Sequence, residues 1–160
     1  MGLRSKHVTA QIPEILHYQR RKHELHTEPL ASYLEQTGRA LPSSGGLCSA
    51  LWRDYVGEWR VVRKRLYLQA LYLGMGGQPL DLAPLFPDHA HDRFGRIFAN
   101  WYTGVLRSPL GALTDYEHIG WGGTYERYLV MQVVDGVIAQ VADVGADSLP
   151  RGLPWELDKG

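Results

Sequence analysis

Residues 128–143 read Tyr128-Leu129-Val130-Met131-Gln132-Val133-Val134-Asp135-Gly136-Val137-Ile138-Ala139-Gln140-Val141-Ala142-Asp143, and the fold turns on how this stretch is read. β-Branched and other apolar residues dominate 128–134 and 137–143. The Asp135-Gly136 pair between them supplies the positive φ angles that a two-residue hairpin turn requires. Working outward, the same pattern recurs. Segments 55–62 and 66–73 flank Arg63-Lys64-Arg65, and segments 14–18 and 23–26 flank Gln19-Arg20-Arg21-Lys22, so both basic runs are expected at hairpin tips. Strand alternation puts Tyr55, Gly57, Trp59 and Val61 on one face, and the Trp59 indole makes that face the expected core side. A fourth pair is expected from 101–107 and 112–118, turning at Ser108-Pro109-Leu110-Gly111, because Pro109 cannot donate a ladder hydrogen bond.

One helix is expected over 28–37. Thr27 can cap it, Glu28 favours the positive end of its dipole, and Pro29 is tolerated in a first turn that needs no intrahelical donor. Leu30, Tyr33 and Leu34 follow at helical spacing, and Gly38 can end it. A second helical turn at 80–86 is confined by Pro79, Pro84 and Pro87. About seven strands and one amphipathic helix predict an α+β, mainly β domain, its antiparallel sheet curled as a sandwich or partial barrel. The expected organisation is a polar tail over 1–13, one globular domain over 14–144 and an irregular tail over 145–160.

Composition narrows the function classes. The 160 residues carry 17 basic and 17 acidic side chains, which argues against a surface that is polyelectrolyte-binding throughout. A single cysteine, Cys48, excludes an intramolecular disulfide and a four-cysteine zinc site, which suits a reducing, cytoplasmic setting. No run approaches the roughly 18 apolar residues of a membrane-spanning helix. The first residues lack the apolar stretch of a signal peptide, so no membrane partner is expected.

The motifs that could carry chemistry are sparse. Seven histidines include His23-x-x-His26 and His89-x-His91-Asp92, either of which could contribute zinc ligands. On a strand, His23 and His26 point to opposite faces, so His89, His91 and Asp92 are the alternative metal set. Asp115, His118 and Glu126 lie around the Gly120-Trp121-Gly122-Gly123 run and are the alternative acid–base set, for a hydrolase or small-ligand binder. Cys48 has no imidazole nearby in sequence, Gly-x-Ser-x-Gly is absent, and Gly74-Met75-Gly76-Gly77 lacks the lysine-serine ending of a phosphate loop. No cofactor is expected.

Charge and aromatic distribution say more. Residues 1–72 hold eleven basic and six acidic side chains, +5, and residues 73–160 hold six and eleven, −5. Arg20, Arg21, Lys22, Arg63, Lys64 and Arg65 would form one positive rim if their hairpin tips were adjacent, able to steer an acidic partner or nucleic-acid phosphates. Five tryptophans and nine tyrosines include Trp101, Tyr102, Tyr116, Trp121, Tyr125 and Tyr128, gathered around Arg107 and Arg127. Tryptophan, tyrosine and arginine are enriched at interface hot spots, so these eight residues are the expected binding set.

Thr27-Glu28-Pro29-Leu30, Leu66-Tyr67-Leu68, Leu85-Phe86-Pro87, the run 101–107 (Trp-Tyr-Thr-Gly-Val-Leu-Arg) and Tyr125-Glu126-Arg127 together resemble a set of small uncharacterised bacterial proteins, from about residue 14 to 143. The resemblance implies a free-standing bacterial domain, an accessory or antidote-like protein encoded beside a partner, and carries over no catalytic residue or cofactor. The Arg20-Arg21-Lys22 run departs from the shorter turn expected there. The leading expectation is a non-enzymatic protein-binding module, as an immunity or inhibitor protein would be. Catalysis by the acidic and histidine set, and nucleic-acid binding through the basic tips, are the alternatives.

Overall fold

The computed structural model describes residues 12–39, 41, 55–73, 78–116 and 123–145, with the side chains of 113–116, 123 and 124 outside that description. Nearly all of both expected tails lies outside it. The strands are β1 (Glu14–Tyr18), β2 (Arg21–Leu25), β3 (Tyr55–Val62), β4 (Arg65–Leu73), β5 (Ile97–Phe98), β6 (Gly104–Tyr116), β7 (Gly123–Val134) and β8 (Val137–Gly145). Among the described residues there is one helix, α1 (Pro29–Thr37), which follows β2. The fold is mainly β, with eight strands in one mostly antiparallel sheet ordered β2-β1-β3-β4-β8-β7-β6 and β5 paired beside β4.

Three hairpins close on two-residue turns, each with positive φ at both central positions. These are Gln19 (52°) and Arg20 (66°), Arg63 (51°) and Lys64 (65°), and Asp135 (48°) and Gly136 (81°). That sign pattern matches the right-handed twist of the flanking strands. The first two tips are therefore narrower than expected: Arg21 and Lys22 begin β2, and Arg65 begins β4.

The fourth expected hairpin is not formed. β6 runs unbroken through Ser108-Pro109-Leu110-Gly111, with Ser108 opposite Leu129 and Pro109 opposite Tyr128. Proline is tolerated because β6 ends the strand order, where one side of the backbone has no ladder partner. Gly111, at φ +73°, instead marks a register shift between Leu110 and Leu113. The turn joining β6 to β7 falls outside the described residues.

Helix α1 ends as expected, with Gly38 left-handed and its N–H donating to Leu34 O at 2.9 Å. Its start differs, since Glu28 occupies the cap position and no side chain caps the helix. The Thr27 hydroxyl accepts from Arg107 N at 3.4 Å instead. The segment 80–86 forms a turn, with Phe86 N on Leu82 O at 3.0 Å, rather than a helix.

β1 and β3 are parallel, pairing Ile15 with Glu58, Leu16 with Trp59 and His17 with Arg60. Two hairpins whose leading strands run side by side in one direction have their tips at the same end of the sheet. β4 and β8 share a single pair, Arg65 with Val137, braced by Leu66 N on Gly136 O (2.8 Å) and Ile138 N on Lys64 O (2.7 Å). Among the described residues no ladder joins β2 to β6, although His26 N donates to Arg107 O at 2.7 Å. The sheet is not closed or strongly curled, in place of the expected sandwich or partial barrel.

The core draws Leu16, Trp59 and Leu68 from the first strands, Leu106 and Met131 from the last, and Leu30 and Tyr33 from α1. Trp59 is fully buried, as its strand parity predicts. A carboxylate holds it there. Glu14, also fully buried, accepts from Gly57 N at 2.6 Å and from Trp59 Nε1 at 3.0 Å, clamping β1 to β3. A β-carbon on Gly57 would lie 2.7 Å from that carboxylate and 2.6 Å from the indole nitrogen, so only glycine leaves room for the clamp.

Candidate functional site

The end of the sheet that carries the first two hairpin tips is the most distinctive surface. Gln19 from one tip and Arg63 and Lys64 from the other line a single cavity of about 480 Å³, with Tyr18, Val61 and residues 138–141 of β8 forming the rest of its wall. The tips are thus neighbours, and of the six basic residues expected at the rim Arg63 and Lys64 line this cavity. None of the ion pairs among the described residues includes Arg20, Arg63, Lys64 or Arg65. Beside these cations three large apolar side chains are exposed: Val134 (45%), Val137 (41%) and Val141 (43%). Val134 and Val137 face each other across the β7–β8 ladder.

Arg63 also borders a second, larger groove of about 710 Å³, lined by Val62, Arg65, Tyr67, Asp92, Arg93, Phe94 and Arg96. The Asp92 carboxylate organises its far wall, accepting from Phe94 N (2.9 Å), Arg96 N (2.9 Å) and Arg96 Nε (2.7 Å). Burial works to raise the Asp92 pKa, but the Arg96 amide and guanidinium with the Phe94 amide outweigh it and hold the carboxyl below its ordinary value. The Arg96 guanidinium lies over Tyr67 (5.2 Å) and Phe94 (4.8 Å), and Arg93 lies over Phe94 (4.9 Å).

Of the eight expected binding residues, those with described side chains divide between the core and the surface. Trp101 is half-buried, donates its indole N–H to Pro29 O at 2.9 Å and stacks on Phe86 at 5.4 Å. Tyr102 is buried, and its hydroxyl donates to Val105 O at 2.8 Å. Burial pushes its pKa up to about 12. These two rings serve the core and the seat of α1. Tyr125 and Tyr128 belong to a separate apolar group with Val130 and Val144, where the Tyr128 hydroxyl accepts from Tyr125 N at 3.0 Å. Arg107 is exposed, 5.9 Å over the Tyr128 ring, and Arg127 pairs with Asp143 at 2.7 Å. The Tyr116 side chain and all of Trp121 lie outside the described residues.

Of the acid–base set, only Glu126 has a described side chain. Asp115 pairs with Thr124 in the ladder, but its side chain lies outside the description, as does His118. Glu126 is exposed and accepts from Ala112 N at 3.2 Å. Of the metal set, His89 has its Nε2 3.1 Å from Asn100 Oδ1 and packs edge-on against Tyr33, Phe86 and Trp101. Its Nδ1 is buried without a hydrogen-bond partner. His91 is exposed and Asp92 is committed to Arg96. Among the described residues no three histidine, cysteine, aspartate or glutamate side chains gather as a metal site requires.

His23 and His26 also separate. His26 is buried, 3.1 Å from Glu24 and edge-on to Tyr125 at 5.9 Å. Burial pushes its pKa down, with Arg107 adding to the effect and Glu24 opposing it. His23 is lowered too, by burial and then by Arg21. Cys48 lies outside the described residues.

Two features escaped the sequence reading. Reading 89–92 for metal ligands leaves out Arg93, Phe94 and Arg96, although Asp92 four residues before Arg96 is a turn signal. On the face of β3 and β4 opposite Trp59, Glu58 gathers His17 (2.5 Å), Tyr72 (2.9 Å) and Gln69 (3.2 Å). The Glu58 hydrogen bond, followed by burial, raises the Tyr72 pKa. Glu58 and Tyr72 are diagonal neighbours on one face, Glu58 opposite Ala70 and Tyr72 opposite Val56.

Among the described residues no helix is long and apolar enough to cross a membrane. Comparison with protein-family models, with curated proteins and with solved structures finds no match.

Proposed function

We propose that this chain is a non-enzymatic binding module that grips an acidic partner protein with the tip end of its sheet. The supporting observation is the meeting of two basic turns, through the parallel β1–β3 pairing, beside the exposed valines of β7 and β8. An apolar centre with arginine beside it and a polar rim matches the anatomy of a protein interface. The cations select an acidic partner and accelerate its approach. The working surface in this reading is Arg20, Arg63, Lys64, Val137 and Val141. Trp101 and Tyr102 are assigned to the core. The resemblance to small bacterial proteins adds the proposal that the partner is encoded beside this chain and is held as an inhibitor holds its target.

The test is capture from the native host at low and high salt, comparing the natural chain with Lys64→Glu and Val141→Glu variants whose fold is checked by circular dichroism. The reading expects one acidic protein, released as salt rises and lost in both variants. Equal capture by the variants would remove the tip end from the interface. Nucleic acid in the eluate, without a protein, would favour a phosphate-tracking surface.

A further inference from the structure

We propose that the groove between β4 and the 92–96 turn is a binding site for a small phosphate-bearing molecule of about nucleotide size. Four guanidinium groups, from Arg63, Arg65, Arg93 and Arg96, converge on it against one carboxylate, Asp92. Groups of one charge gathered in a concavity repel each other, and an anion with several oxygens relieves that repulsion. Arginine suits the task because its planar fork offers paired N–H donors to phosphate oxygens.

The forks are held ready. Arg96 is pinned by Asp92 at 2.7 Å with its side chain only 15% exposed, and its guanidinium carbon lies over two aromatic rings. With Nε engaged by Asp92, the terminal N–H groups of the Arg96 fork are those left for a ligand. Phe94, 65% exposed at the lip, contributes little to the core. Its backbone N–H donates to the Asp92 carboxylate at 2.9 Å, and its ring lies beneath both Arg93 and Arg96. The volume, about 710 Å³, lies within the range of small-molecule sites. Size and discreteness therefore favour a small phosphorylated ligand over a nucleic-acid strand. The site shares only Arg63 with the protein-binding surface and does not depend on it.

Calorimetric titration of the full chain with ATP, with inorganic pyrophosphate and with adenosine tests the assignment. One saturable site for ATP or pyrophosphate is expected, and none for adenosine. ATP binding more tightly than pyrophosphate would show that the ring contributes; equal binding would show that the phosphates suffice. The Arg65→Gln/Arg93→Gln variant should weaken binding by at least about tenfold, since each removed fork loses charge-assisted hydrogen bonds. Val141→Glu, which disables the proposed protein surface, should leave it unchanged. Absence of saturable phosphate binding, indifference to the double substitution, or binding confined to single-stranded oligonucleotides or a polyglutamate peptide would overturn the proposal.

Discussion

Replacing Arg63-Lys64 by Asn-Gly should make the protein more stable while weakening its partner binding. Both residues sit left-handed, at φ 51° and 65°, a conformation that costs an ordinary L-residue about 1–2 kcal/mol. The turn cannot relax elsewhere, because Lys64 O receives Ile138 N at 2.7 Å at the narrow join between the two halves of the sheet. Asparagine tolerates the left-handed region and glycine adopts it freely, although glycine returns about 0.5–1 kcal/mol through its more flexible unfolded chain. The net expectation is a gain of about 1–2 kcal/mol, or roughly 2–8 °C in Tm for a chain of this length. Urea denaturation reads it as a higher midpoint at unchanged slope. On the proposed function, strain is retained at this tip because its side chains bind, which would account for arginine and lysine standing where Asn-Gly folds better. An unchanged or lower midpoint at constant slope refutes the reasoning.

Gly57→Ala should destabilise the fold by about 1–3 kcal/mol, since its methyl group would meet the Glu14 carboxylate and the Trp59 indole; denaturation with no loss of stability would contradict the clamp. Trp101→Ala should cost about 3 kcal/mol of folding stability through lost packing on Phe86 and Tyr33, whereas a variant of natural stability that fails only in partner binding would return Trp101 to the interface. For His26 and His23 the folded pKa lies below the unfolded value of 6.5, so the unfolded chain binds more protons. Their contribution is complete above pH 6.5 and is lost as pH falls through the lowered folded values. The urea midpoint should therefore drop between about pH 7 and pH 5, and His26→Asn should flatten that drop; a drop of the same size in the variant would locate the dependence elsewhere.

The hairpins were legible because local chemistry dictates them. Asp135-Gly136 names its own turn, and the apolar alternation around Trp59 names its own face. Basic residues at the other two tips could be located but not resolved, because arginine and lysine do not announce a left-handed turn. That is why Arg21, Lys22 and Arg65 were read into tips rather than strands. Pro109 misled for a physical reason: the rule that excludes proline from ladders does not reach the unpaired side of a terminal strand, a position only topology assigns. The aromatic cluster failed for a related one. Trp101 is near Arg107 in sequence, but what covers it is α1 and Phe86, contributed from elsewhere in the chain. Likewise the parallel β1–β3 pairing, which brings the tips together, and the approach of Arg93 and Arg96 to Arg65 are long-range facts that no local pattern carries.

Amide hydrogen exchange on the chain with and without its captured partner tests the central claim most directly. The account predicts slowed exchange at 18–22, 61–65 and 137–141, the two basic turns and the start of β8. Protection confined to 101–107 and 125–128, with the tips exchanging as fast as in the free protein, would contradict it.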